Sequence, residues 1–136
     1  MDELLLDSDM LSEVAKRKDR GVLAHANRYL AVRPKLTFSL VTKFEVLRGL
    51  KWKAAAIQLA QFNQICADSI ILPIDDEVVE RAAQLWAAAM DVGAPCGDAD
   101  LLIAATALEH NLALCTGNAD HFNWIPGLRL VNWREP

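Results

Sequence analysis

At 136 residues, with 53% hydrophobic and 24% charged residues, the chain is long enough to bury one core and too short for two, and its composition excludes a disordered or low-complexity chain. Its three cysteines, Cys66, Cys96 and Cys115, are odd in number and widely spaced, which excludes a disulfide framework and a zinc site and fits a reducing cytoplasm. The formal net charge of −4 divides into +4 over residues 1–53 and −8 over residues 54–136, so only the N-terminal half, with Lys16, Lys18, Lys43, Arg48 and Lys53, suits a polyanion.

In chain order, Leu4 to Leu6 reads as a short buried strand. The start Met1-Asp2-Glu3 before it lacks the basic residues and long apolar region of a signal peptide. Helices are expected over Asp9 to Arg17 and Arg20 to Val32, the second stopped by Pro34. Leu36 to Ser39 is a second strand, followed by helices over Leu40 to Leu50 and Lys53 to Ala67. Ile70 to Leu72 is a third strand, and Asp75-Asp76-Glu77 opens a helix with Val78, Ala82, Leu85 and Ala89 on its apolar stripe, ended by Gly93 and Pro95. A helix from Asp98 to His110, a strand from Ala113 to Thr116 and a fifth from Leu128 to Val131 complete the chain. The alternation predicts one α/β domain over residues 1–136, with a mainly parallel sheet of four to five strands and helices on both faces. The longest apolar stretch, Leu101 to Leu108, is far short of the ~20 residues that span a bilayer, so a cytoplasmic protein without membrane contact is expected.

Acids stand where these elements meet: Asp7 after the first strand, Glu45 one turn into the helix after the second, Asp98 and Asp100 opening the helix before the fourth, and Thr116, Asn118 and Asp120 after the fourth. If the strand order reverses between strands one and four, all of these lie at one crevice beyond the carboxyl ends of the strands. Singly, Asp98, Asp100 and Asp7 are explained as helix-capping or first-turn acids. Glu45 is not: it lies among Phe44, Val46 and Leu47, where a carboxylate needs a partner or a metal.

Together the blocks Leu4–Ser12, Phe44–Leu50, Pro95–Leu108 and Thr116–Phe122, with Ile125–Leu128 and Asn132-Trp133, resemble the PIN-domain ribonucleases, most closely the VapC-type toxins of bacterial toxin–antitoxin pairs. The third block is the most specific. The resemblance implies a Mg²⁺- or Mn²⁺-dependent endoribonuclease with Asp7, Glu45 and Asp100 as its catalytic acids. It assigns the metal to Asp7, Asp100 and Asn118, water positioning to Glu45, and supporting places to Asp98, Thr116 and Asp120. Such a site suits phosphodiester hydrolysis, since these ions prefer carboxylate and water oxygens and activate water for in-line attack. The implied partners are an RNA substrate, a small cognate antitoxin and a second copy in a two-fold dimer, with Leu11, Val14, Tyr29 and Trp52 expected near solvent as the antitoxin's docking patch.

Two features depart from the family pattern. Asp9 stands where many relatives carry asparagine, and His121 rather than an acid precedes Phe122. Asn118 is neutral where some relatives have aspartate, which implies one tight metal and a weaker second. Other readings are a PIN-like domain that chiefly binds a partner protein, a haloacid-dehalogenase-type phosphatase built on Asp7-Ser8-Asp9, and a Cys115–His121 thiol site. The phosphatase expects a late lysine, and none follows Lys53. The thiol site places Cys115 in a buried strand, where a thiol is inert.

Overall fold

A computed structural model describes residues 2–94 and 96–136; Met1 and Pro95 lie outside the described residues, and with them the expected part of Pro95 in ending a helix. Five strands alternate with helices: β1 (Leu4–Leu6), α1 (Ser8–Lys16), α2 (Arg20–Val32), β2 (Thr37–Ser39), α3 (Leu40–Trp52), α4 (Ala56–Ala67), β3 (Ile70–Leu72), α5 (Asp76–Val92), α6 (Asp98–Glu109), β4 (Ala113–Cys115) and β5 (Leu130–Val131). Asp19, Ser39 and Asp75 cap α2, α3 and α5 by accepting the N–H of the residue three positions on, which supplies one partner for the free donors of each helix start. The helix expected from Lys53 begins instead at Ala56. Lys53 and Ala54 N–H groups close the end of α3 on Gly49 and Lys51 carbonyls, and Ala54 takes a left-handed φ of 52° that no helix continues through.

All strand pairs are parallel, and the spatial order β3-β2-β1-β4-β5 reverses direction of growth between β1 and β4, as the placement of the acids requires. The expected single sheet is hydrogen-bonded as two ladders, β1-β4-β5 and β2-β3, with β1 lying against β2. The cause is local. Glu3 C=O and Asp7 N–H bond toward β4, so the Leu4 N–H points to the β2 side, where the buried Tyr29 hydroxyl of α2 accepts it at 3.1 Å in place of a strand carbonyl.

The pleat divides the core. Leu4, Leu6, Ala113 and Cys115 pack on one face with Met10, Leu11, Val22, Tyr29 and Phe62 from α1, α2 and α4. Leu5 and Leu114 pack on the other with Val78, Leu85, Ile103 and Ala107 from α5 and α6. Helices therefore cover both faces, as predicted. The expected docking patch is corrected here: Leu11 and Tyr29 are core residues, Val14 packs against them, and of the four only Trp52, 87% exposed, faces solvent. Helical spacing picks out an apolar stripe but does not say which stripe the sheet will take. No helix among the described residues is long and apolar enough to cross a membrane.

Candidate active site

Asp7 directly follows β1 and occupies the N-cap position of α1, yet its carboxylate does not act as the other caps do. Oδ1 accepts the N–H of the next residue, Ser8, at 2.7 Å, and Oδ2 turns across the β1–β4 seam to accept the Thr116 hydroxyl at 2.8 Å. The side chain is buried, and burial pushes its carboxyl up to about 6. The bonds from Thr116 and Ser8 oppose that rise, while the charges of Asp9 and Asp100 add to it. Asp7, Asp9 and Asp100 thus share one electrostatic neighbourhood, though they come from α1 and α6.

Glu45 joins this neighbourhood through Ser8, whose hydroxyl donates to Oε1, while Oε2 lies 3.6 Å from the Arg48 guanidinium. Asp100 sits in the first turn of α6, and its Oδ2 lies 3.2 Å from His121 Nδ1. Gly97 occupies the N-cap of that helix and no side chain caps it, so Asp98 is a first-turn acid and not the cap. Asp98 is exposed and contributes to the field around Cys96, whose thiol burial pushes up to about 11. The Thr116 hydroxyl oxygen also accepts the Asn118 N–H at 3.0 Å, and Asn118 begins a single 3₁₀ turn, Ala119–His121, on the exposed lip. Asp120 is exposed on that turn.

Three residues given no role from the sequence belong to the same cluster. Ser8 links Glu45 to the start of α1. Asp9 accepts the Gly117 N–H on Oδ2 at 2.9 Å, tying α1 to the loop after β4. Arg134, from the segment after β5, reaches Asp9 at 3.4 Å and Glu13 at 3.5 Å. A Cβ on Gly117 would overlap both Arg134 Nη1 and Asp9 Oδ2, so only glycine leaves room for this contact. The adjacency of Ser8 and Asp9 to Asp7 was a visible signal; Arg134 lies 125 residues from Asp9, and no local pattern points to it.

Among the described residues no group of three His, Cys, Asp or Glu side chains is placed to hold a metal ion by itself. The donor set nevertheless fits Mg²⁺ or Mn²⁺: it is oxygen-rich, partly open, and centred on a buried carboxylate whose negative charge burial disfavours. Cys115 is fully buried, and burial drives its thiol far above the ordinary range, which removes it as a nucleophile.

A model of the PIN domain matches residues 4–126. That match sets aside the haloacid-dehalogenase reading. The chain is 30% identical, over 98% of its length and 99% of the relative's, to the VapC ribonuclease Y4jK of Sinorhizobium fredii. It is 25% identical, over 96% and 98%, to the tRNA(fMet)-specific endonuclease VapC of Salmonella typhimurium. The fold superposes on the DNA-bound VapBC of Salmonella typhimurium with a TM-score of 0.85 at 25% identity, covering 98% of this chain and 99% of that one. A toxin–antitoxin complex from Klebsiella pneumoniae gives a TM-score of 0.73 at 26% identity, over 96% and 97%. The strand order that brings Asp7 beside Thr116 and the match across nearly the whole chain have one explanation: this is a member of the PIN-domain family, of its VapC ribonuclease branch.

Proposed function

We propose that the chain is a divalent-metal-dependent endoribonuclease that cleaves RNA phosphodiester bonds as the toxin of a toxin–antitoxin pair. The observation that carries this reading is the buried Asp7 carboxylate, held by Thr116 and Ser8 with Asp9 and Asp100 close enough to raise its pKa. A site that concentrates acids where burial disfavours their charge is built for a cation. Asp7, Asp100 and Asn118 would hold Mg²⁺ or Mn²⁺. When bound, the ion supplies charge against the phosphate and acidifies water.

The remaining residues orient these groups. Thr116 fixes one Asp7 oxygen and, by accepting the Asn118 N–H, sets the start of the loop that carries Asn118. With Ser8 on Oε1 and Arg48 3.6 Å from Oε2, Glu45 positions the attacking water and takes its proton. His121 holds one oxygen of Asp100. Asp98 and Asp120, both exposed, support ordered water at the lip.

The partners follow from the relatives. The Klebsiella pneumoniae structure is a toxin–antitoxin complex, which supports a small antitoxin for this chain. The Salmonella relative's name makes tRNA(fMet) the first substrate to assay. A two-fold dimer is proposed as well, and the exposed Val79, Trp86 and Met90 along α5 supply an apolar stripe for it. Cleavage of labelled RNA with Mg²⁺, with Mn²⁺ and with chelator tests the reading. Asp7→Asn, Glu45→Gln and Asp100→Asn should each remove cleavage in a protein that remains folded. Activity that survives chelation, or persists in all three variants, would reject it.

A further inference from the structure

Beside the acidic cluster runs a cleft of about 400 Å³ between α1, α3 and α4. Its character differs from the cluster's. Glu45 is the one acid in its lining, and the other charged and amide groups are Lys16 at the end of α1, Lys18 in the following loop, Lys53 just past α3, and Gln58 and Gln61 on α4. Apart from Ser12 the rest of the lining is small or aliphatic, Gly49 of α3 included. Lys16 makes only a 3.8 Å contact with Glu13, a pair of little strength at an exposed position. Lys18 and Lys53 form no ion pair among the described residues.

We propose that this cleft is the track by which a single RNA strand reaches the carboxylates, with Lys16, Lys18 and Lys53 gripping its phosphates and Gln58 and Gln61 hydrogen-bonding its sugars and base edges. The inference rests on the nuclease reading and gives it a substrate path. Three arguments favour a polyanion over a protein segment. The three lysines line one cleft of a molecule whose net charge is −4, so they oppose the overall sign. Glu45, the one acid in the cleft lining, is bonded to Ser8 beside Asp7, so the track leads into the reacting centre. The neighbouring cleft between α1, α2 and α4 has the opposite character: Val14, Leu30, Leu36 and Ile65 line it, and its Arg17 is accompanied by Asp68. A basic groove with an uncharged floor is the usual means of following a single strand without reading its sequence.

Gly49 provides a test that spares the fold. A Cβ there would meet nothing within 4 Å, and the residue is helical, so Gly49→Leu starts its side chain into open space in the cleft while favouring α3. Full-length wild type, Gly49→Leu, Lys18→Glu and Lys53→Glu are compared, after circular dichroism shows each folded, on a 20-nucleotide single-stranded RNA across a salt series. The same proteins are assayed on bis(p-nitrophenyl) phosphate, whose single phosphate sits at the carboxylates and leaves none for the lysines of the cleft.

The expected result is a tenfold or larger rise in KM for RNA, with kcat and small-ester turnover within twofold of wild type. For each lysine the salt slope should fall by about 0.7. Unchanged KM and salt slope in variants of an active wild type would overturn the track while leaving the nuclease reading standing. Variants that cleave RNA normally but escape inhibition by co-expressed antitoxin would overturn it too, assigning the cleft to a protein. If wild type cleaves neither substrate, the nuclease reading falls separately, and binding of labelled RNA decides the cleft: salt-dependent binding lost in the lysine variants supports it, and equal binding refutes it.

Discussion

Thr116 Oγ1 lies 2.8 Å from Asp7 Oδ2, a bond between side chains 109 residues apart, and the same oxygen accepts the Asn118 N–H at 3.0 Å. The threonine proton is therefore committed to the carboxylate while its lone pair holds the loop. The pair joins the end of β1 to the end of β4 at the point where the strand order reverses, so the position of the buried acid and that of the lip are set by one hydroxyl.

The first prediction concerns the cost of that buried acid. Its folded-state pKa of about 6 lies above the ordinary 3.8, so between these values the folded chain binds more protons than the unfolded one. The stability conferred by the protonated form is fully present below the ordinary value and is lost as pH rises through about 6. A rise of that size corresponds to roughly 3 kcal/mol. Asn at position 7 avoids that cost but loses one acceptor, worth about 1 kcal/mol. Asp7→Asn should then be about 1–2 kcal/mol more stable than wild type at pH 7.5 in chelator and no more stable near pH 4. Urea unfolding at both pH values checks it, and a difference independent of pH would mean the carboxylate carries no such strain.

A second prediction concerns the contact that Gly117 permits. Gly117→Ala must displace Arg134 or break the 2.9 Å bond from its own N–H to Asp9. Both obstructing atoms are the ends of flexible side chains, so a cost of about 1 kcal/mol, that of the lost or strained hydrogen bond, is expected. Arg134→Ala alone should cost under about 1 kcal/mol, since its ion pairs with Asp9 and Glu13 are long and partly exposed. In the double variant the alanine methyl has only Asp9 to move, so the two effects should sum to less than their separate costs. Strict additivity in the cycle would show that the guanidinium does not fill the space beside Gly117.

The third prediction tests the split sheet. Tyr29→Phe removes the acceptor of the buried Leu4 N–H while keeping the ring that packs against Trp133. An orphaned buried donor costs about 1–3 kcal/mol, so the unfolding midpoint should fall accordingly. Amide exchange should accelerate at Leu4 more than at Asp7, whose N–H bonds to Cys115 in the other ladder. Equal protection at Leu4 in both proteins would mean that β2 takes over as its acceptor.

Much of this architecture was legible in local pattern. Leu4-Leu5-Leu6 and Ala113-Leu114-Cys115 read as buried strands because both of their faces are apolar, and both faces are indeed covered. Asp75 read as a helix start and caps α5. Asp7 and Asp100 stood out at element junctions and Glu45 as an acid among apolar residues one turn into α3, and the resemblance to PIN domains then joined the three. What failed to show was non-local. A hydroxyl from α2 replacing a strand carbonyl at Leu4 leaves no trace in the sequence near Leu4, and the core places of Leu11 and Tyr29 depend on which helix face meets the sheet. Arg134 and Gly117 look like ordinary loop residues until the chain brings Asp9 between them.

The long separation between Asp7 and Thr116 has a consequence for the order in which the site is assembled. During synthesis β1 and α1 emerge early, but the acid at their junction gains its threonine only after nearly the whole domain has left the ribosome. Until β4 pairs with β1, Asp7 is a solvated side chain on an unfinished sheet, with no Thr116 to orient it and with Asp100 of α6 still to arrive. A chain that has not yet placed β4 therefore lacks the assembled site. Formation of the site is tied to a late, long-range strand pairing, so it cannot precede the completion of the sheet.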